Sequence, residues 1–580
     1  EEHQAMRKRL PFALFAAALV PAATLVQMPS LRLSGRAVVG AGHGAHTAAV
    51  RMADHHQQQQ SVTASSQVRD TSLLGEESTL DKRIFCNREL NMEKIEAIGF
   101  DLDYTLAEYK VDFDLLAYDG AVRKLLDMGY PEEVKSFVYD RSAYQRGLVI
   151  DKKRGNVVKL DRHKYAKIAY HGLTKLGDDE RKGLYARSFE TQPQFTPPDF
   201  ASIDTDFLLV DVCLFCQLVD LKDRHPDQVP HSYSTIYQHV RRAVDLCHCD
   251  GEIKDPVAID PAKYICESPD LPRMLSQLRT EGKKVFLLTN SLFDYTKVVC
   301  DFLLGDDWYD YFDLIICGGR KPGFLLDPYL PIFRVNTADG SLANIEMGTP
   351  ALASKALSEG KVFQGGNWNH LHRMLQLSTG SALMYVGDHM YSDILRSKRT
   401  LGWRTVLIVP ELQHEVGMLE RSEGERQRGA CLRQQRAALD VDLRRLQLRR
   451  IELAAAAQNA GPDVEALEAL NAEEDRLYME QGKITTQLSE LLEARHKAFH
   501  PQWGQLFKAG HQNSRWGQQV QEYACLYTSQ ATNLRYATGN TKFRALVDLM
   551  PHDRACIEAS MAGEGGQSAP DIECEISQEK

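Results

Sequence analysis

The chain has 580 residues, enough for about three to five ordinary domains or for one large domain carrying insertions. Hydrophobic residues make up 43% and charged residues 26%, which excludes a collagenous, mucin-like or wholly disordered chain. A formal net charge of −10 argues against a nucleic-acid partner, and 12 scattered cysteines are too sparse for a disulfide scaffold. The longest apolar run, Pro11 to Val26, is split by Pro21 and falls short of the roughly 20 residues of a spanning helix, so no membrane partner is expected.

The charge is unevenly spread. No acidic residue lies between His3 and Ala53, while Arg7, Lys8, Arg9, Arg32, Arg36 and Arg51 leave residues 1–53 at +4 with Glu1 and Glu2 counted. The remainder carries −14. An acid-poor, Ala-rich, Arg-bearing start reads as a targeting leader over 1–53. Met6 to Arg9 followed by Leu10 to Val20 has the form of a basic region and an apolar region. With the stretch behind it, this is similar to the two-part leaders of some algal plastid proteins, and Val50 to Ala53 is similar to a cleavage site. The expected location is organellar, a plastid ahead of a mitochondrion, with the cytoplasm as the alternative if the segment is a spurious extension. Residues 54–83, with His55-His56, Gln57 to Gln60 and a Ser/Thr run, read as low-complexity linker.

The next elements are short apolar runs that end in chemical groups. Ile95 to Phe100 ends in Asp101-Leu102-Asp103-Tyr104-Thr105-Leu106. Lys284 to Leu288 ends in Thr289-Asn290-Ser291. Asp313 to Cys317 is followed by Gly318-Gly319-Arg320-Lys321-Pro322. Ala382 to Val386 ends in Gly387-Asp388 with Asp393 close behind, and Arg404 to Val409 ends in Pro410-Glu411. Leu271, Leu275 and Leu278 recur at helical spacing between the first two runs. Such alternation predicts an α/β fold, a parallel sheet with helices on both faces. Open parallel sheets bind ligands at the carboxyl ends of their strands.

Those ends carry two Asp, a Thr, a Lys and two further Asp. Carboxylates brought together repel one another unless a cation sits among them. An all-oxygen donor set favours Mg²⁺, which shares a phosphate with the protein. A hydroxyl and a lysine supply a donor and a positive charge for phosphate oxygens. Asp101 and Asp103 lie two apart, so one carboxylate can attack while the other handles protons.

The segments Asp101 to Leu106, Thr289 to Ser291, Lys321, and Gly387-Asp388 with Asp393 resemble the four motifs of the haloacid dehalogenase superfamily of phosphatases. Asp101 to Lys110, Arg320 to Pro322, Gly387 to Leu395, Gly402 to Leu412 and Phe543 to Asp553 are similar to the cytosolic purine 5′-nucleotidase family. The likeness runs from about Ile84 to Asp553. It implies a Rossmann-like parallel sheet and specific roles. Asp101 is the implied nucleophile, and Asp103 the acid and base. Thr289 and Asn290 hold phosphoryl oxygens, and Lys321 neutralises charge. Mg²⁺ is held by the Asp101 carboxylate, the Asp103 backbone carbonyl and Asp388, with Asp393 in support.

The catalytic core is therefore expected over 84–110 and 267–412, split by an α+β cap over 111–266 that is too long for a crossover loop. Within the cap, Val240 to His248 resembles the family's nucleoside-reading helix. Arg241, Asp245 and His248 are spaced to share one helical face. With Lys254 and the base-stacking aromatic Phe200, they match positions that bind substrate in the family. The plain alternatives are a surface ion pair for Arg241 and Asp245, and a cap histidine for His248. Ala201, Cys249, Leu292 and Ser392 depart from the family pattern, so phosphomonoesterase chemistry stands ahead of purine specificity. Cys247-His248-Cys249 and Cys213 to Cys216 are read as buried free thiols in preference to zinc ligands.

Leu432, Leu439, Leu446 and Leu453 repeat every seven residues, as do Leu470, Leu477, Ile484 and Leu491, with Asn459 to Pro462 between the two runs. This predicts a helical hairpin of coiled-coil character over 413–500. Its Arg-rich stretch, Arg433 to Arg450, is read as a solvated face. Residues 501–553 are expected to pack on the core, and 554–580 to form a disordered tail. The resemblance implies a homo-oligomer. The expected function is Mg²⁺-dependent hydrolysis of nucleoside 5′-monophosphates, purine type favoured, through an aspartyl-phosphate. The alternatives are a phosphatase or phosphotransferase for another small phosphomonoester, and a non-catalytic nucleotide-binding or assembly protein on the same fold.

Overall fold

The computed structural model describes residues 82–186, 194–460, 464–548 and 553, all within one compact unit, Ser72–Lys580. The leader, nearly all of the linker, the Gly461-Pro462 break and the tail lie outside the described residues.

Each of the five apolar runs contains a strand of one ten-stranded sheet. The strand Ala97–Phe100 lies near its middle, paired in parallel with Leu383–Gly387 on one side and Lys284–Leu288 on the other. Leu314–Cys317 and then Val362–Gly365 extend one flank in parallel. Arg404–Ile408 and Leu526–Thr528 extend the other. Antiparallel strands close both edges: Phe85–Cys86 on one, Ile332–Val335 with Leu342–Asn344 on the other.

The apolar runs are continuous because both faces of the sheet are covered. Val285 and Leu287 join one hydrophobic cluster, while Phe286 and Leu288 join another on the opposite face. Ile315 and Cys317 divide from Leu314 and Ile316 in the same way. The helix Leu271–Thr280 buries Leu271, Met274, Leu275 and Leu278 on the first face. Helices Pro350–Glu359 and Trp368–Met374 bury Ala353, Ala356, Leu371 and Met374 on the second.

Two short parallel strands, Val362–Gly365 and Leu526–Thr528, go beyond the expected set. Neither sits in an apolar run long enough to stand out.

The insert between the first two core strands is α+β, as expected. Helices Val111–Asp127, Leu208–Arg224 and Tyr233–Cys249 pack together beside a five-stranded antiparallel sheet. That sheet runs Thr174–Lys175, Ala166–His171, Asn156–Leu160, Val149–Asp151 and Phe200–Ser202.

A segment near the carboxyl end clasps this insert. Trp503 donates its indole N–H to Ala143 O at 2.9 Å and packs its ring 4.9 Å from Tyr170. The buried Lys159 ammonium donates to the carbonyls of Trp503, at 2.7 Å, and Gln505.

The heptad leucines form two long packed helices, Glu423–Ala460 and Val464–Phe499. Of the heptad residues, Leu432 and Leu477 are buried and the others half-buried, while Leu443 and Leu488, outside those two series, are buried as well. The Arg-rich face is largely solvated, with Arg450 paired to Glu474 of the facing helix at 3.0 Å.

The centre of the sheet leaves no room at Gly99. A Cβ there would meet the Phe286 ring at 2.0 Å. Gly99→Ala is expected to destabilise the protein by about 1–3 kcal/mol, the usual range for overpacking, read as a lowered denaturation midpoint.

Candidate active site

Asp101 is the first residue beyond the Ala97–Phe100 strand. Its N–H donates to Val386 O at 2.9 Å, which keeps the start of the loop in register with the neighbouring strand. Its Oδ1 accepts the Leu102 N–H at 2.9 Å. The chain then turns through Tyr104, held in the left-handed region at φ 53°. The Tyr104 hydroxyl donates to the buried Asp114 at 2.9 Å, which anchors the turn to the first helix of the insert.

Lys321 enters from the loop after Leu314–Cys317. Its Nζ lies 2.8 Å from Asp101 Oδ2 and 2.9 Å from Asp393 Oδ1. It also donates to the Tyr385 hydroxyl at 2.9 Å, and that hydroxyl donates on to Leu288 O at 2.8 Å. Asp393 Oδ2 accepts the His389 N–H at 3.2 Å. Gly387 is required beside it, because a Cβ would meet Asp393 Oδ2 at 2.5 Å.

One carboxylate oxygen from each of Asp101, Asp388 and Asp393 lies within 4.8 Å of the others. Among the described residues, no other His, Cys, Asp or Glu side chains are grouped in this way. Burial drives the Asp101 pKa up to about 7, with Asp393 and Asp103 adding to the rise and Lys321 opposing it. Burial, then Asp393 and Asp101, hold Asp388 well above the usual carboxylate range. Burial works against the charge on Lys321, yet Asp101 and Asp393 keep its pKa well above the ordinary value. A single ammonium does not neutralise three buried carboxylates. The donor set is all oxygen and strained by like charge, which fits a divalent cation such as Mg²⁺.

Asp103 stands apart from that cluster. Its carboxylate accepts from the Tyr109 hydroxyl at 2.6 Å and from Ser291 Oγ at 2.7 Å. Tyr109 OH lies 3.3 Å from the Tyr295 hydroxyl. Thr289 Oγ1 accepts the Ser291 N–H at 3.0 Å, which leaves its hydroxyl proton to donate elsewhere. Asn290 grips the lysine loop: its Oδ1 accepts Lys321 N–H at 2.6 Å and its Nδ2 donates to Lys321 O at 3.3 Å. Its side chain thus places Lys321.

The insert brings Arg241, Asp245, His248 and Lys254 together. Arg241 donates to the buried Asp211 at 2.7 Å and pairs with Asp245. Burial and the neighbouring Arg241 push the His248 ring down to about 4, so it is neutral at neutral pH; Asp245 and Lys254 also act on it. His248 stands edge-on to Phe207 at 5.6 Å, and Phe207 edge-on to Tyr104 at 4.6 Å. Lys254 lies over the Tyr295 ring at 5.7 Å. A continuous path of contacts thus links this group to Asp103.

Phe200 lies on the strand Phe200–Ser202 and packs 5.1 Å from Phe195 inside the insert's own apolar cluster. Cys213, Cys216 and Cys247 are buried free thiols. Cys249 is exposed, a correction to the expectation, because it ends its helix on the outward side.

Several residues at the site were given no role from the sequence. Tyr385 is hidden within an apolar run, Tyr295 lies outside the motifs, and Ser291 and Tyr109, though inside motif segments, act through hydroxyls whose roles need the fold. Thr205 and Arg146 reach Asp388 from the insert, across long sequence separation. The only available signal was polar residues in otherwise buried segments.

Residues 84–555 match the 5′ nucleotidase family, and the chain belongs to it. It is 29% identical over 467 residues to a 5′-nucleotidase domain-containing protein of Dictyostelium discoideum, covering 79% of this chain and 72% of that protein. Among solved structures it is similar to a β-phosphoglucomutase of a Pyrococcus species, at 11% identity over 54% of this chain and 86% of the other, with a TM-score of 0.23. A HAD phosphatase from Thermococcus onnurineus gives 15% identity, 55% and 87% coverage and a TM-score of 0.21. The fold is that of the haloacid dehalogenase superfamily, and the carboxylate cluster supports Mg²⁺-dependent phosphoryl transfer in general.

The raised carboxylates make metal binding proton-linked. A metal-bound carboxylate must be ionised, so Mg²⁺ should displace protons near pH 7 and bind more tightly as pH rises from 6 to 8. Calorimetry in buffers of different ionisation enthalpy should read this release, and Asp388→Asn should reduce it.

Proposed function

We propose that this member of the 5′ nucleotidase family hydrolyses a small phosphomonoester through an aspartyl-phosphate on Asp101, and that nucleoside 5′-monophosphates, purine type favoured, are its substrates. The observation that carries the chemistry is the buried Asp101–Lys321–Asp393 pairing with Asp388 beside it.

Asp101, Asp388 and Asp393 would hold Mg²⁺, with the Asp103 carbonyl as a further proposed ligand. The cation would supply charge to the phosphoryl oxygens and to the carboxylates around it. Asp101 attacks phosphorus while Lys321 and the Thr289 hydroxyl stabilise charge on the transferring group. Asp103 delivers a proton to the departing oxygen, then takes one from the water that opens the intermediate. Tyr109 and Ser291 keep its carboxylate turned to that task through their hydrogen bonds.

Arg241, His248 and Lys254 favour a polar leaving group with a flat face. The neutral His248 ring and the edge-on Phe207 offer an aromatic surface, and Arg241 and Lys254 offer donors. Phe200 enters this reading only through the family resemblance. Use of a second nucleoside as phosphate acceptor belongs to the same chemistry. We further propose that the protein is a homo-oligomer and that its location is organellar, of plastid type.

A phosphate-release screen over nucleoside monophosphates, sugar phosphates and other small phosphomonoesters, with and without an acceptor nucleoside, tests the reading. Release should require Mg²⁺ and fall by about 10⁴-fold or more in Asp101→Asn, on the scale seen when a nucleophile is lost. Turnover surviving that change would reject the nucleophile. A preference for sugar phosphates would reject the nucleotide.

A further inference from the structure

Asp388 follows the insert by more than 100 residues in the chain, yet it is gripped by residues of the insert. Thr205 Oγ1 donates to Asp388 Oδ2 at 2.7 Å. The Arg146 guanidinium donates to the Asp388 main-chain oxygen at 3.0 Å. Arg146 is itself buried and fixed. It donates to both oxygens of Glu411, at 2.9 and 2.5 Å, and lies 3.4 Å from Asp206. Asp206 is held in turn by Arg141 at 3.0 Å, and Arg141 by Asp114 at 2.7 Å.

Thr205 lies in a short link between the strand Phe200–Ser202 and the helix Leu208–Arg224. That link is pinned at both ends. Ile203 N–H donates to Leu148 O at 2.9 Å, and Leu208 N–H donates to Thr205 O at 3.2 Å. Thr205 is 5% exposed, so its hydroxyl has a fixed aim and little water to compete with. A hydrogen bond on one oxygen of a carboxylate sets the plane of the group and hence where the other oxygen points. Groups that orient a metal ligand in this way change metal affinity without touching the metal.

We infer that Thr205, with Arg146 beneath it, is a positioning residue for Asp388, so that the insert completes the cation site and its docking on the core and cation binding favour one another. The inference rests on the reading that Asp388 is a metal ligand. It adds that the cation site is not a property of the core alone. By linkage, a ligand that tightens the insert onto the core also tightens cation binding, and by the same factor in reverse.

The test uses the full chain and two probes, Mg²⁺ by titration calorimetry and Mn²⁺ by electron paramagnetic resonance. Thr205→Val is close in shape and lacks the hydroxyl, Thr205→Ala lacks both, and Thr205→Ser keeps the donor. Val and Ala variants should bind both ions about 10–100-fold more weakly, the range for loss of an outer partner, while Ser stays within about threefold of the parent. Saturating Mg²⁺ should restore turnover in Val and Ala, since the hydroxyl is not in contact with substrate in this reading. Parental affinity in Val and Ala overturns the inference, and so does a Ser variant as weak as Val, which would make the effect one of packing. Melting of the metal-free variants within a few degrees of the parent separates weak binding from a failed fold. If Val melts far lower, the Ala and Ser pair decides. A parent chain that binds neither ion rejects the metal-site reading itself, which is a different failure from variants that bind as well as the parent.

Discussion

The structure depends on one unfavourable arrangement: carboxylates crowded where water is scarce. Asp101, Asp388 and Asp393 converge at the end of adjacent parallel strands, and the sheet register leaves them no way to separate. Lys321 offsets part of the repulsion from its own strand end, and Tyr385 holds the ammonium from behind. Gly387 exists to let Asp393 come close. Two hydrophobic faces keep the strands rigid enough to maintain the strain, and the strain in turn gives the site its appetite for a cation.

The same logic extends into the insert. Arg141 and Arg146 are interleaved with Asp114, Asp206 and Glu411, so that each buried charge has an opposite neighbour. The chain of contacts starts beside the turn that carries Asp103, through Tyr104 and Asp114, and ends on Asp388. Both acidic loops of the core are therefore tied to one network in the insert. Removing a single member leaves a buried charge without its partner, which costs far more than the pair contributes as a whole.

Much of this was legible in the amino-acid order, and the reason is local. A strand buried on both faces must be a short unbroken apolar run, and the chemical group must follow it directly, so Asp101, Thr289, Lys321 and Asp388 stand out beside their runs. Helical spacing marked Leu271 to Leu278 and the heptad hairpin for the same reason. The strands Val362–Gly365 and Leu526–Thr528 escaped because a strand of three or four residues beside an existing sheet needs little apolar sequence of its own. Asn290 was legible as a site residue, but its hold on the Lys321 backbone was not, since loop-to-loop bonds leave no periodic trace. Thr205 and Arg146 escaped for the deeper reason that a contact between the insert and Asp388 is set by topology, and a lone threonine or arginine in sequence says nothing about its partner.

The edge strand Phe85–Cys86 has its partner in Leu526–Thr528, at the other end of the described chain. Asn87 likewise donates to Val520 O at 3.0 Å, across 433 positions of sequence. During synthesis the amino-terminal strands must therefore wait for the last partner to leave the ribosome. At about 5–20 residues per second that delay is roughly 20–90 seconds. From the time it is made until Leu526–Thr528 follows about 120 residues later, roughly 6–24 seconds at that rate, the Arg404–Ile408 strand presents an unpaired edge of main-chain groups flanked by apolar side chains. The nascent chain is thus committed to a long interval in which its own sheet is a template for aggregation, and its yield depends on whatever shields that edge until residue 528 arrives.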